Sequence, residues 1–337
     1  MGHLTISDIA KMAGVSTTAV SFVLNDRPGV SEATREKVKE IIRQTGFTPN
    51  VHTRRLNLGK SFTIHVVLRQ YGHNLYNQFA LETLSGIFAQ SKALGYSILF
   101  TFVDDEMDCE QIIDSVRSKD CDGVILYQVS DAGLISLLQR EENPFVCVDT
   151  HLPQDGSLPL VEVDYFDAAY QATRYLYDCG HREIGFIGPE IPAEYYVSTF
   201  SGYTAALKDC GLVCNPAWLA QLTFEEESAK EAVDKLMQSG RLPTAFICAG
   251  DAYAINTIHY AKAKGIRIPE DISIMSLDDL FMSRYIDPPL STMTFDKELV
   301  GERAMRLLYR IMTKEDYEPV KIIKTTPVDR GSVKKMK

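Results

Sequence analysis

Apolar residues recur at helical spacing through the first 45 residues, then give way from Phe62 to short apolar runs alternating with longer amphipathic stretches. Ile6, Ile9, Ala10 and Ala13 share one face of a first helix, which Thr5 or Ser7 can cap and Gly14 can end, since glycine reaches positive φ without steric cost. Ser16 can cap a second helix with Val20, Val23 and Leu24 turned inward. Its outward residues Ser16, Thr17, Thr18 and Ser21 are short, a face able to enter a DNA major groove. A third helix over 30–45 opens on Ser31-x-x-Thr34, carries a stripe of Val38, Ile41 and Ile42, and stops at Gly46. Pro49 disfavours helix at Thr48, and a short amphipathic piece over 50–58 then carries Arg54, Arg55, Leu56 and Leu58.

In the remainder, strands are predicted at 63–68, 96–102, 123–127, 145–148 and 160–163, with helices at 78–94, 109–118 and 132–140 between them. A second series has helices at 166–177, 199–209, 226–238 and 252–264 and strands at 184–187, 245–248 and 272–276. The chain returns through strands near 292–295 and 320–324 around a helix at 297–312. Strands separated by helical lengths predict parallel sheets covered by helices, and two such series predict two lobes. A ligand cleft is then expected at the carboxyl ends of the strands, between the lobes.

Several stretches together resemble the lactose-repressor/galactose-repressor family of bacterial transcription regulators. They are the run from Ala10 to Asn25, Pro28-Gly29-Val30-Ser31-Glu32, the exit Phe47-Thr48-Pro49-Asn50, Leu56 in a hinge, Gly180-His181-Arg182, Gly265-Ile266-Arg267-Ile268-Pro269 and Pro288-Pro289-Leu290-Ser291-Thr292. The resemblance implies an all-α helix-turn-helix DNA-binding head over 1–49, a hinge helix and linker over 50–60, and an α/β two-lobed, periplasmic-binding-protein-like effector and dimerisation domain over 61–337. Its first lobe is expected at about 62–161 and 292–320, and its second at about 162–291 and 321–332.

By the same resemblance the second helix lies in the major groove, and DNA contacts fall to Thr5, Ser16, Thr17, Thr18, Ser21, Phe22, Asn25, Ser31 and Thr34. Hydroxyls and helix N-termini suit phosphates, and threonine methyls suit thymine. Phe22 departs from the family, which very often has an arginine there able to grip a guanine edge through two hydrogen bonds. The alternative is that Phe22 tucks into the small head core. From the hinge, Asn50, Arg54, Arg55 and Leu56 are implied, with Leu56 as an apolar wedge in the minor groove at the centre of a palindrome. That role requires a homodimer; a solvated linker is the bland alternative.

Charge sharpens this picture. The net charge of −10 divides into +4 on residues 1–60, from nine Lys/Arg against five Asp/Glu, and −14 on the rest. A basic head on an acidic body suits a protein that meets phosphate at one end. Seven scattered cysteines without a Cys-x-x-Cys pair read as reduced thiols, and no metal-ligand cluster or cofactor motif is apparent. With no signal-peptide core and no membrane-length apolar run, a cytoplasmic protein with no membrane contact is expected.

For the cleft, the resemblance implies Phe79 as a wall, within Asn77-Gln78-Phe79-Ala80, and Phe224 as a ring that stacks on ligand. Asp149, Asp251 and Asp278 each follow a predicted strand, where carboxylates can accept hydrogen bonds from sugar hydroxyls. Thr199 stands where the family commonly has an arginine, and Gly250-Asp251 replaces its usual Asn-Asp pair. Tyr195, with Tyr196, is expected to line the opening in compensation, favouring a larger ligand such as a glycoside. Asp278 and Asp279 also invite a glycosidase reading, but adjacent residues leaving a strand diverge, whereas catalytic carboxyls must face one bond. One is expected to bind ligand and the other to cap the following helix. The expected function is therefore non-enzymatic: an allosteric repressor of palindromic operators with a carbohydrate effector. The alternatives are control by a partner protein, or a sugar-binding module without regulatory DNA binding.

Overall fold

The computed structural model describes residues 4–24, 27–47, 59–69, 78–103, 109–152, 155–190, 193–223, 226–238 and 240–336. The chain forms two compact units, Met1–Phe62 and Thr63–Lys337. The hinge expected at 50–60 falls within the first, and nearly all of it lies outside the described residues.

The first unit holds α1 (Ile6–Ala13), α2 (Thr17–Leu24) and α3 (Glu32–Thr45). Thr5 and Asp8 form a reciprocal capping box: Thr5 Oγ1 accepts from Asp8 N at 3.3 Å, and Asp8 Oδ2 accepts from Thr5 N at 2.9 Å. Gly14, at φ 64°, ends α1 in the left-handed region. Ser16 Oγ accepts from Ala19 N at 3.1 Å and Ser31 Oγ from Thr34 N at 3.3 Å, so all three helices begin on a side-chain cap. Ile9, Ala10, Ala13, Val20, Val23, Val38 and Phe47 are buried together as the core between them.

The second unit contains two six-stranded sheets. In order along the chain its elements are β1 (Thr63–Arg69), α4 (Gln78–Ala93), β2 (Ser97–Val103), α5 (Cys109–Arg117), β3 (Gly123–Tyr127), α6 (Ala132–Arg140), β4 (Phe145–Val148) and β5 (Leu160–Val163). Next come α7 (Tyr165–Asp178), β6 (Ile184–Pro189), α8 (Ala193–Asp209), β7 (Leu219–Leu222), α9 (Glu226–Gln238), β8 (Ala245–Cys248), α10 (Asp251–Ala263) and β9 (Ser273–Ser276). Last are β10 (Ser291–Thr294), α11 (Lys297–Thr313), β11 (Val320–Ile323) and β12 (Thr326–Val328). The first sheet runs β11-β5-β4-β3-β1-β2, all parallel; the second runs β12-β10-β9-β8-β6-β7, parallel except for the β10–β12 pair. Near-continuous burial of the central strands follows from helices covering both sheet faces.

Helices α4 and α11 cross closely over the first sheet. A Cβ on Gly86 would lie 1.9 Å from Glu298 O, and one on Gly301 would lie 2.0 Å from Thr83 O, so only glycine permits this approach.

Strand pairing shifts the expected lobe boundaries. β5 lies wholly in the first sheet, where β11 pairs with it, although the sequence reading divides both between lobes. β10, assigned by that reading to the first lobe, pairs with β9 in the second. β5 is followed after one residue by α7, β10 after two by α11 and β11 after two by β12, so no separate linker marks where the chain changes sheet. β7 and β12 were not anticipated; both are short edge strands, and Pro327 interrupts β12. Helix α8 begins six residues before the expected Thr199.

Candidate functional site

The first candidate surface is α2 with the neighbouring helix starts. Ser16, Thr17 and Thr18 are exposed and Ser21 is half-buried, while Val20 and Val23 face the core. Thr5 and Ser31 are exposed at the starts of α1 and α3, with Thr34 in the first turn of α3. Phe22 is half-buried and outside the core cluster. Its ring covers Gly29, where a Cβ would come within 3.1 Å of it, and Gly29 has φ 114°. The aromatic therefore packs on Gly29, and Arg27 N donates to Phe22 O at 2.8 Å. Asn25, Asn50, Arg54, Arg55 and Leu56 lie outside the described residues.

The second lies where the strands of the two sheets end. Asp149 follows β4 with φ 51°, and Gln128 follows β3 with φ 55°. Gln128 Nε2 donates to Asp149 Oδ2 at 2.7 Å, whereas the solvent-excluded Asp149 Oδ1 accepts nothing. Glu162, a charged residue in the otherwise apolar strand β5, is also buried. Its Oε1 accepts from Thr150 N at 2.9 Å, His151 N at 2.8 Å and Thr150 Oγ1 at 3.2 Å, which fixes the turn after β4. Burial, reinforced by the nearby charge of Asp149, pushes the Glu162 carboxyl up to about 8. Burial also lowers the His151 imidazole, against the opposing pull of Asp149 and Glu194.

Tyr165 is placed at the start of α7 by Asp164, whose carboxylate accepts from Asp167 N at 3.0 Å. Its ring meets Tyr195 of α8 edge-on at 4.7 Å, and the His151 ring lies 5.2 Å from Tyr195. The Tyr195 hydroxyl is raised well above its usual range by burial and then by Asp278 and Asp149. Carboxyls from both sheets thus act on one tyrosine.

In the second lobe, Asp251 opens α10 after Gly250, whose φ of 124° accounts for glycine at that position. Asp251, expected as a ligand contact, has both carboxylate oxygens engaged within the fold. Its Oδ1 accepts from Thr292 Oγ1 at 2.7 Å, and its Oδ2 accepts from Leu280 N at 2.8 Å and from Ser283 Oγ. The carboxylate organises the segment after β9. Asp278 Oδ2 accepts from Asp251 N at 3.1 Å; burial and then the Asp251 charge hold Asp278 well above the usual carboxylate range, against Lys297. Asp279 does not cap the helical turn over Phe281–Arg284, whose cap residue is Leu280 without a side-chain bond. It instead accepts from Thr294 Oγ1 at 2.6 Å and from Arg330. Asp278 and Asp279 diverge, as adjacent residues leaving a strand should.

Thr199 is buried with its hydroxyl donating to Tyr195 O at 2.8 Å, so it supports α8 rather than replacing an arginine's donors. Phe79 lies in the first turn of α4, and its side chain, like Phe224, is outside the described residues. Sequence reasoning missed Gln128, His151, Glu162 and Tyr165. Only Glu162 gave a local signal, as a carboxylate inside an apolar strand.

Among known proteins, the description "Bacterial regulatory proteins, lacI family" matches residues 5–50, and "Periplasmic binding protein-like domain" matches residues 173–333. The HTH-type transcriptional repressor CytR of Escherichia coli is 33% identical over 310 residues, covering 90% of this chain and 88% of CytR. The solved complex of the transcriptional regulator CelR with cellobiose is 25% identical at a TM-score of 0.75, covering 98% of this chain and 99% of that one. The lac repressor dimer bound to operator and the anti-inducer ONPF shares the fold at a TM-score of 0.84 and 22% identity, covering 99% and 100%. With its capped helix-turn-helix head and two-sheet body, the chain belongs to the lacI family of bacterial regulatory proteins, which regulate transcription and are not enzymes.

Proposed function

We propose that the chain is a cytoplasmic, homodimeric repressor that binds palindromic operator DNA and is controlled by a carbohydrate, most specifically a glycoside, held between its two lobes. The observation that carries the effector reading is the convergence of Asp149 and Asp278, from different sheets, beside Tyr165 and Tyr195. A carboxylate accepts from sugar hydroxyls, a carboxyl held toward its neutral form also donates, and aromatic rings cover the C–H face of a sugar. The likeness to CelR, solved with cellobiose, supports the same ligand class.

Exposed apolar side chains support dimerisation. Leu81 and Phe88 on α4, Leu99, Phe100 and Phe102 on β2, and Phe281, Met282 and Tyr285 after β9 are each at least 42% exposed. A ligand that prefers one lobe arrangement shifts that surface between two states, and its differential affinity sets the change in DNA binding. The exposed hydroxyls of α2 and the basic head suit the operator, with Leu56 proposed as the wedge at its centre.

Thermal-shift measurements with mono- and disaccharides and nucleosides test the effector class. A saccharide should raise the melting temperature of the native chain and lose that effect in Asp278→Asn; a response confined to nucleosides would replace the carbohydrate reading. The second reading, control by a partner protein, is favoured by a groove bordered by Arg303, Arg306, Arg310 and Lys321; Glu318 in its wall pairs with Lys321 and Glu302 pairs with Arg306, leaving a net basic edge at Arg303 and Arg310 that suits an anionic surface. Silence of every small molecule, with DNA binding that responds to an acidic protein, would select it.

A further inference from the structure

We propose that Asp149, His151 and Glu162 form a binding site for one divalent transition-metal ion, with zinc(II) as the reference probe. One donor atom from each residue lies within 4.8 Å of the other two, and His151 Nδ1 is 3.7 Å from Glu162 Oε2. Zinc bonds to nitrogen and carboxylate oxygen of about 2.0–2.2 Å place tetrahedral donors roughly 3.4 Å apart, so the donors at the longer separations must draw inward when the ion binds.

Each carboxylate is already oriented. Gln128 holds Asp149 Oδ2, and the 150–151 backbone holds Glu162 Oε1, leaving one oxygen of each for an ion. Asp149 is 2% exposed, and its Oδ1 accepts no hydrogen bond, an independent sign of a missing partner. Among the described residues, no lysine or arginine forms an ion pair with Asp149 or Glu162, and the His151 ring makes no hydrogen bond. Once binding releases the Glu162 proton to solvent, two carboxylates and a neutral imidazole supply the charge and mixed hardness that such a cation takes. The ion would lock the end of β4 to β5 beside the Tyr165–Tyr195 pair; because it takes the one open oxygen of Asp149, it modifies the proposed effector site, where a saccharide hydroxyl would then meet the ion and not that oxygen directly.

The test uses the full-length protein after dialysis against a chelator. Calorimetric titration with zinc chloride should give one ion per chain, and His151→Gln and Glu162→Gln should each weaken uptake by about tenfold or more. Cobalt(II) in the same protein should show visible d–d bands without a thiolate charge-transfer band. Absence of stoichiometric uptake, affinity unchanged in both variants, or a thiolate band placing the ion on cysteines would each overturn the proposal. If Glu162→Gln does not fold, His151→Gln decides, because that ring holds no hydrogen bond of the fold.

Discussion

The Thr292 hydroxyl donates to Asp251 Oδ1 at 2.7 Å, tying the start of α10 to β10, the last strand before the chain returns to the first lobe. Asp251 also holds Leu280 N and Ser283 Oγ. Asp251→Ala strips buried donors of their acceptor and should lower the unfolding free energy by about 3 kcal/mol or more. Urea unfolding followed by the single tryptophan, Trp218, measures this, and a loss under about 1 kcal/mol would contradict the organising role.

Gly301→Ala places a methyl against the Thr83 carbonyl, and backbone cannot yield as a flexible side chain can. The α4–α11 crossing must open, with an expected cost of about 1–3 kcal/mol despite alanine's better helix propensity. Stabilisation on thermal unfolding would show that the helices are not this close.

Acid should act through Asp279. Burial alone would raise its carboxyl, but hydrogen bonds from Thr294 and Arg330 and the arginine's charge bring it below its usual 3.8. Because the folded state releases this proton more readily than the unfolded chain, the stabilisation is complete above about pH 4 and is lost as pH falls through the folded value. The stability gap between native protein and Asp279→Asn should hold steady down to about pH 4 and narrow below it. A gap independent of pH across that interval would assign the effect to packing.

At the head, Phe22 cannot make the two hydrogen bonds by which an arginine grips a guanine edge, and its ring lies against Gly29. Selection from random duplexes should return a half-site that differs from the family's guanine-bearing pattern at one position. Phe22→Arg should restore guanine there. Recovery of the ordinary pattern by the native chain would show that this side chain does not set the preference.

Features set by near neighbours were legible in the sequence. The Thr5–Asp8 box and the Ser16 and Ser31 caps span three residues, so residue type and spacing reveal them. The alternating strands and helices were legible because each βαβ unit carries its own change of period. What the sequence does not reveal depends on partners beyond the local pattern. Asp251 has the residue type and strand-end position of a ligand contact, yet its acceptors are filled from residues 280, 283 and 292. Thr199 looked like a truncated substitute for arginine because a hydroxyl gives no clue that it bonds back into its own helix. Glu162 and His151 meet only through the pairing of β4 with β5. β7 and β12 are part-exposed edge strands, so neither shows the unbroken apolar run by which the equally short β4 and β8 stand out.

The most direct test of coupling between cleft and head is operator affinity at fixed salt, by fluorescence anisotropy, for the full-length chain with and without a saccharide found by thermal shift. Tight binding to a selected palindrome should change by about 5-fold to 150-fold when the saccharide is added, while Asp278→Asn keeps the palindrome affinity and loses the response. Equal affinity for palindrome and random duplex, or an affinity that the bound saccharide leaves unchanged, would contradict the account.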